Sequence, residues 1–78
     1  MVDLKVTIPK NLERIRKEKD LTHSEMARVL GINRTTLYLY ESGRRVLPTE
    51  LVYKIWEVLG YTPNEVLLTE EQKSVDNG

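Results

Sequence analysis

The sequence predicts an all-α fold, a compact five-helix domain, from three observations. Five segments space their apolar residues at helical intervals, and most begin at a residue that caps or starts a helix. Glycines at 31, 43 and 60 stand where three of those segments should stop, and no stretch alternates apolar and polar residues as a strand would.

The first helix is expected over residues 9–19. Pro9 suits an initial helical position, where its missing N–H costs nothing, and Ile8, Leu12 and Ile15 recur on one face. Thr22 caps the second helix, expected over 23–30: Glu25 completes a capping box and Leu21 with Met26 has the spacing of a hydrophobic staple. Gly31 supplies the left-handed residue that ends it. Asn33 caps the third helix, which starts at Arg34, repeats the staple spacing with Ile32 and Leu37, and is closed by Gly43.

Pro48 permits a fourth start, and Leu51, Val52, Ile55, Val58 and Leu59 give that helix a wide apolar face up to Gly60. Thr62-Pro63-Asn64-Glu65 is a second capping box, with Tyr61 and Val66 at staple spacing, so the fifth helix is expected over about 63–68. Residues 1–68 thus form the domain. Residues 69–78 hold one aliphatic side chain, Val75, before Asp76-Asn77-Gly78, and read as a flexible C-terminal tail.

Composition narrows the function. A chain of 78 residues makes one domain and buries only about 60–65% of its unfolded surface, which leaves no room for a multi-lobed enzyme. Cysteine is absent and His23 is the single histidine, so a disulfide framework, a thiolate nucleophile and a zinc site are not expected, and no cofactor is implied. No apolar run reaches the 18 or so residues of a membrane span, and nothing at the N-terminus reads as a signal peptide, so a cytoplasmic protein without membrane association is expected. The balanced charge is uneven along the chain. Residues 1–48 carry ten Lys/Arg against six Asp/Glu, and residues 49–78 carry two against six. An acidic partner such as nucleic acid would meet the N-terminal part.

The second and third helices are joined by only three residues around Gly31 and must cross steeply, as in a helix-turn-helix over about 23–42. Ala27, one turn before Gly31, allows close approach of the two backbones. Leu37 and Tyr40 turn one face of the third helix inward, while Arg34, Thr35, Tyr38, Leu39 and Ser42 share the outward side. Arg34 in a first helical turn opposes the helix dipole, which prefers negative charge there, and so points to a functional reason.

The stretches Leu21-Thr22-His23-Ser24-Glu25-Met26-Ala27, Leu30-Gly31-Ile32-Asn33-Arg34 and Tyr40-Glu41-Ser42-Gly43-Arg44-Arg45 resemble the lambda-repressor-like, Cro/C1-type (XRE family) helix-turn-helix proteins. The similarity takes in about residues 8–68, including Leu12 to Arg16 and Leu59-Gly60-Tyr61-Thr62-Pro63. It implies a five-helix domain whose third helix enters the major groove of double-stranded DNA, as a homodimer on a two-fold symmetric operator.

Carried onto this chain, the resemblance implies base reading by Asn33, Arg34, Thr35 and Leu39 with Tyr38 beside them, and phosphate contacts from His23, Ser42, Arg44 and Arg45. It also implies a structural pair, Arg16 with Glu41, and a dimer interface from the fifth helix and the end of the fourth, with Trp56, Leu67 and Leu68. A guanidinium such as that of Arg34 suits bidentate contact with guanine, and Tyr38 and Leu39 suit thymine methyl groups. The chain departs from the family in two places: His23 stands where glutamine is common, and Pro48 falls about one position late after the loop.

The leading function is therefore a sequence-specific DNA-binding transcriptional regulator, most simply a repressor. The alternative is an antitoxin-like or anti-regulator module whose C-terminal surface binds a protein partner, with DNA binding secondary. An enzyme is disfavoured, because no glycine-rich phosphate loop or metal-ligand cluster is present and His23-Ser24 are chain neighbours on one helix rather than a positioned pair.

Overall fold

Local signals and burial together yield five helices: α1 (Leu4–Glu18), α2 (His23–Leu30), α3 (Arg34–Glu41), α4 (Thr49–Leu59) and α5 (Pro63–Leu67). The computed structural model describes residues 4–69, with side chains from residue 6 onward. The predicted tail therefore lies outside the described residues except for Thr69.

Both capping boxes form. The Thr22 hydroxyl accepts from the Glu25 N–H while the Glu25 carboxylate accepts from the Thr22 N–H, and Thr62 with Glu65 repeats the exchange. Hydrogen bonds from Thr22, the backbone N–H foremost, hold the Glu25 carboxyl below its ordinary range. Gly31, at φ +74°, has open space where a Cβ would stand, so the positive φ and not crowding selects glycine there.

Three boundaries differ from expectation. Helix α1 begins at Leu4, which leaves Pro9 inside the helix instead of at its start. Thr7 and Ile8 are buried, so the preceding turn packs into the core, and that burial outweighs a proline defect of about 3 kcal/mol. The helix stops at Glu18 rather than 19, and Asp20 takes up the left-handed conformation at φ 56°. Helix α5 ends at Leu67, one residue early, because the Asn11 amide crosses from α1 and donates to the carbonyls of Val66 (2.8 Å) and Leu68 (3.1 Å). Leu68 is extended in consequence.

The core lies where α1, with Ile8, Leu12 and Ile15, meets Met26 and Leu30 of α2, Leu37 and Tyr40 of α3, Ile55 of α4 and Val66 of α5. Helix α1 packs on α3 and α5, α2 on α3 and α4, and α4 on α5. Ala27 is buried as its small size requires. Among the described residues no helix is long and apolar enough to cross a membrane.

Candidate nucleic-acid interface

Helix α3 is eight residues long and buries only Leu37 and Tyr40, so most of its surface is free for a ligand. Its ends are fixed locally. The Asn33 carboxamide oxygen accepts from the Thr36 N–H at 2.7 Å, satisfying one of the orphan donors of the first turn. At the other end the Leu39 carbonyl accepts from the Arg44 N–H at 3.0 Å, the Arg45 N–H at 3.2 Å and the Ser42 hydroxyl at 3.2 Å. The turn thereby wraps the two arginines back against the last turn of α3.

This geometry leaves most of the sequence-predicted residues exposed along α3 and just past its end. Asn33, Arg34 and Thr35 are exposed at the start of α3, Tyr38 is 55% exposed at its middle, and Ser42, Arg44 and Arg45 are exposed just past its end. Leu39 is half-buried, so only part of its side chain is available. The outward face carries no acidic group: the first turn has none, and Glu41, the single acidic residue of α3, turns inward.

Glu41 is 7% exposed and lies against Arg16 of α1, itself 14% exposed, with Nε at 3.4 Å from each carboxylate oxygen. The same guanidinium donates from a terminal nitrogen to the Leu21 carbonyl at 3.1 Å, which ties the end of α1 to the start of the helix-turn-helix. Arg16 and Glu41 thus form a part-buried ion pair that spans α1 and α3. His23, the first residue of α2, approaches the same carboxylate, with Nε2 at 3.4 Å from Oε1.

The residues assigned to self-association separate into two environments. Trp56 is 48% exposed and stacks on Tyr53, which is 55% exposed, with ring centroids 6.2 Å apart. Leu67 packs partly against the core, and Leu68 is half-buried. Val46, Leu47, Val52, Tyr53, Pro63 and Leu67 line a groove beside the aromatic stack.

Sequence reasoning did not find three supporting contacts. Asn11 holds the end of α5, Tyr61 donates its hydroxyl to Glu18 at 2.8 Å, and His23 joins the Arg16–Glu41 pair. A polar Asn11 on the otherwise apolar face of Ile8, Leu12 and Ile15 was the available signal for the first. The other two join residues too far apart in the chain for spacing to reveal.

A helix-turn-helix domain model matches residues 10–72. The chain is 36% identical over 63 residues to the ImmF control region 10 kDa protein of Bacillus phage phi105, covering 81% of this chain and 70% of that protein. It is 47% identical over 45 residues, 58% of this chain, to Antitoxin PezA of Streptococcus pneumoniae serotype 4, and spans only 28% of that protein's length. Among solved structures, a hypothetical transcription factor, NHTF from Neisseria, superposes with a TM-score of 0.82 at 25% identity, covering 94% of this chain and 84% of that one. The five helices and these matches show that the chain belongs to the XRE-like helix-turn-helix family of DNA-binding regulators of transcription.

Proposed function

We propose that the protein is a sequence-specific repressor that binds a palindromic operator as a homodimer and reads the major groove with α3. The observation that carries this reading is the outer face of α3. It presents Arg34, Thr35 and Tyr38 to solvent, is flanked by Arg44 and Arg45, and has its one carboxylate sequestered against Arg16. A surface of that kind suits base edges at its centre and phosphates at its rim.

In this reading Asn33, Arg34, Thr35, Tyr38 and Leu39 face the bases, with Asn33 also serving as the cap that fixes the first turn. Ser42, Arg44 and Arg45 grip phosphates from the turn, and His23 does so from the start of α2. The stacked, half-exposed Tyr53 and Trp56, continuous with the groove that Leu67 helps to line, support a two-fold interface that Leu68 completes. Occupying the operator is sufficient for repression, since it excludes polymerase.

Selection of bound sites from a random DNA pool tests the proposal. A palindrome whose half-sites lie about one helical turn apart is the expected result, and recovery of no preferred sequence would overturn it. Salt dependence then separates base reading from phosphate gripping. Arg44→Ala should lower the magnitude of the log affinity against log salt slope by about 0.9 for each phosphate no longer neutralised, and weaken all DNA alike. Arg34→Ala should leave that slope near its original value, cost about 1–3 kcal/mol on the operator and relax one base position per half-site.

A second reading is favoured by the likeness to an antitoxin: the surface of α4 and α5 holds a protein partner and DNA binding is secondary. A stoichiometric heterologous complex that forms through Trp56 and displaces self-association would favour this reading over the first.

A further inference from the structure

The Glu41 carboxylate is poorly served for a group so deeply placed. Its side chain is only 7% exposed, it receives one hydrogen bond, from Arg16 Nε at 3.4 Å, and its Oε2 accepts none. A buried carboxylate ordinarily collects several donors, because each unsatisfied lone pair retains much of the cost of leaving water. The other basic side chain near this carboxylate is the His23 imidazole, with Nε2 3.4 Å from Oε1 and 40% of its side chain exposed. It approaches from α2, whereas Arg16 approaches from α1, so Glu41 sits between two elements that flank α3.

We propose that His23 is a positioning residue for DNA reading: its Nε2, at 3.4 Å from the Glu41 carboxylate, braces α3 from α2 as Arg16 braces it from α1. This rests on the DNA-binding reading above and adds to it a second role for His23, distinct from any contact with phosphate. The brace acts at the last residue of α3, where a small rotation of the helix is carried directly to Tyr38 and Arg34 on its outer face. The Arg16–Glu41 contact ties the end of α3 to α1, and the His23–Glu41 contact ties that same end to α2.

The test substitutes His23 and asks which ring nitrogen matters. Glutamine sets its amide nitrogen near the position of Nε2, whereas asparagine sets its own near Nδ1. His23→Ala and His23→Asn should weaken operator binding about 5- to 10-fold, with His23→Gln within about twofold of wild type. Equal effects of glutamine and asparagine overturn the proposal without any change at Glu41. A DNA-free arm uses thermal unfolding: His23→Ala should lower Tm by about 4 °C in wild type and by much less in Glu41→Gln. Additive Tm effects mean the two side chains do not interact, and the brace is wrong. Coupled Tm effects with unchanged operator affinity also overturn it, because the contact would then only stabilise the fold. Should no variant and no wild-type protein bind DNA while the Tm effects couple, it is the DNA-binding reading that has failed, and the positioning role fails with it.

Discussion

Helices α3 and α4 bury similar shares of their residues, but α3 is also fixed at both ends, and that difference bears on how one small domain can give a helix face to a ligand. Helix α4 is held by its face. Leu51, Val52 and Ile55 are buried along it, while its first residue follows Pro48, which supplies no side-chain cap. Helix α3 is held at its ends as well. It buries two residues, and the rest of its anchorage comes from the Asn33 cap, the turn folded onto the Leu39 carbonyl and the buried Glu41. Apolar burial uses up helix surface, whereas caps and a terminal ion pair leave the outward side untouched. A helix that must offer its side to another molecule is therefore best fixed at its termini.

The largest expected effect comes from the face of α4. Ile55 is fully buried, and Ile55→Ala should lower unfolding free energy by about 2–5 kcal/mol, read from denaturant unfolding by circular dichroism. A loss under about 1 kcal/mol would mean that α4 is not held by its face.

Next in size is the end of α3. Glu41→Ala strands Arg16, which is largely buried and keeps only its bond to the Leu21 carbonyl, and should cost about 2–3 kcal/mol. The matched change on α4 is Glu57→Ala, which removes an exposed pair with Lys54 at 3.7 Å and should cost less than about 0.5 kcal/mol. Equal Tm changes for the two variants would erase the distinction between terminal anchor and surface pair. Asn33→Ala follows at about 1 kcal/mol, and it should loosen the first turn of α3 enough to weaken operator binding as well.

The same contrast explains what was legible in the sequence. Caps and turns are local, so Thr22 with Glu25, Asn33 and Gly31 marked the ends of α2 and the start of α3 to the residue. The outward face of α3 followed from Leu37 and Tyr40 at a spacing of three. The start of α1 did not follow, since a proline rule weighs only the local defect and cannot weigh the burial of Ile8 in the core. The end of α5, the Tyr61–Glu18 bond and the approach of His23 to Glu41 depend on side chains brought together by packing. Arg16 with Glu41 is equally long-range and was reached only through the resemblance to a family.

The smallest effect tests the joint that carries α4 into α5. Tyr61 follows the Gly60 that ends α4, its hydroxyl donates to Glu18 of α1 at 2.8 Å, and Lys19 lies 5.5 Å over its ring. Burial foremost, and then the bond to Glu18, push the Tyr61 hydroxyl above its ordinary value of 10.0. The folded protein therefore keeps this proton more tightly than the unfolded chain does. The stabilisation is fully present below the ordinary tyrosine value and is lost as pH rises through the higher folded value. Tyr61→Phe keeps the ring and removes both the bond and the titration, so it should cost at most about 1 kcal/mol at neutral pH. The Tm gap between wild type and Tyr61→Phe should then close as the pH is raised beyond the ordinary tyrosine range. No gap at neutral pH would show that the Tyr61 hydroxyl contributes nothing to the joint and that α4 is carried into α5 by apolar packing alone, whereas a gap that stays constant into strong alkali would show that folding does not hold the hydroxyl proton more tightly.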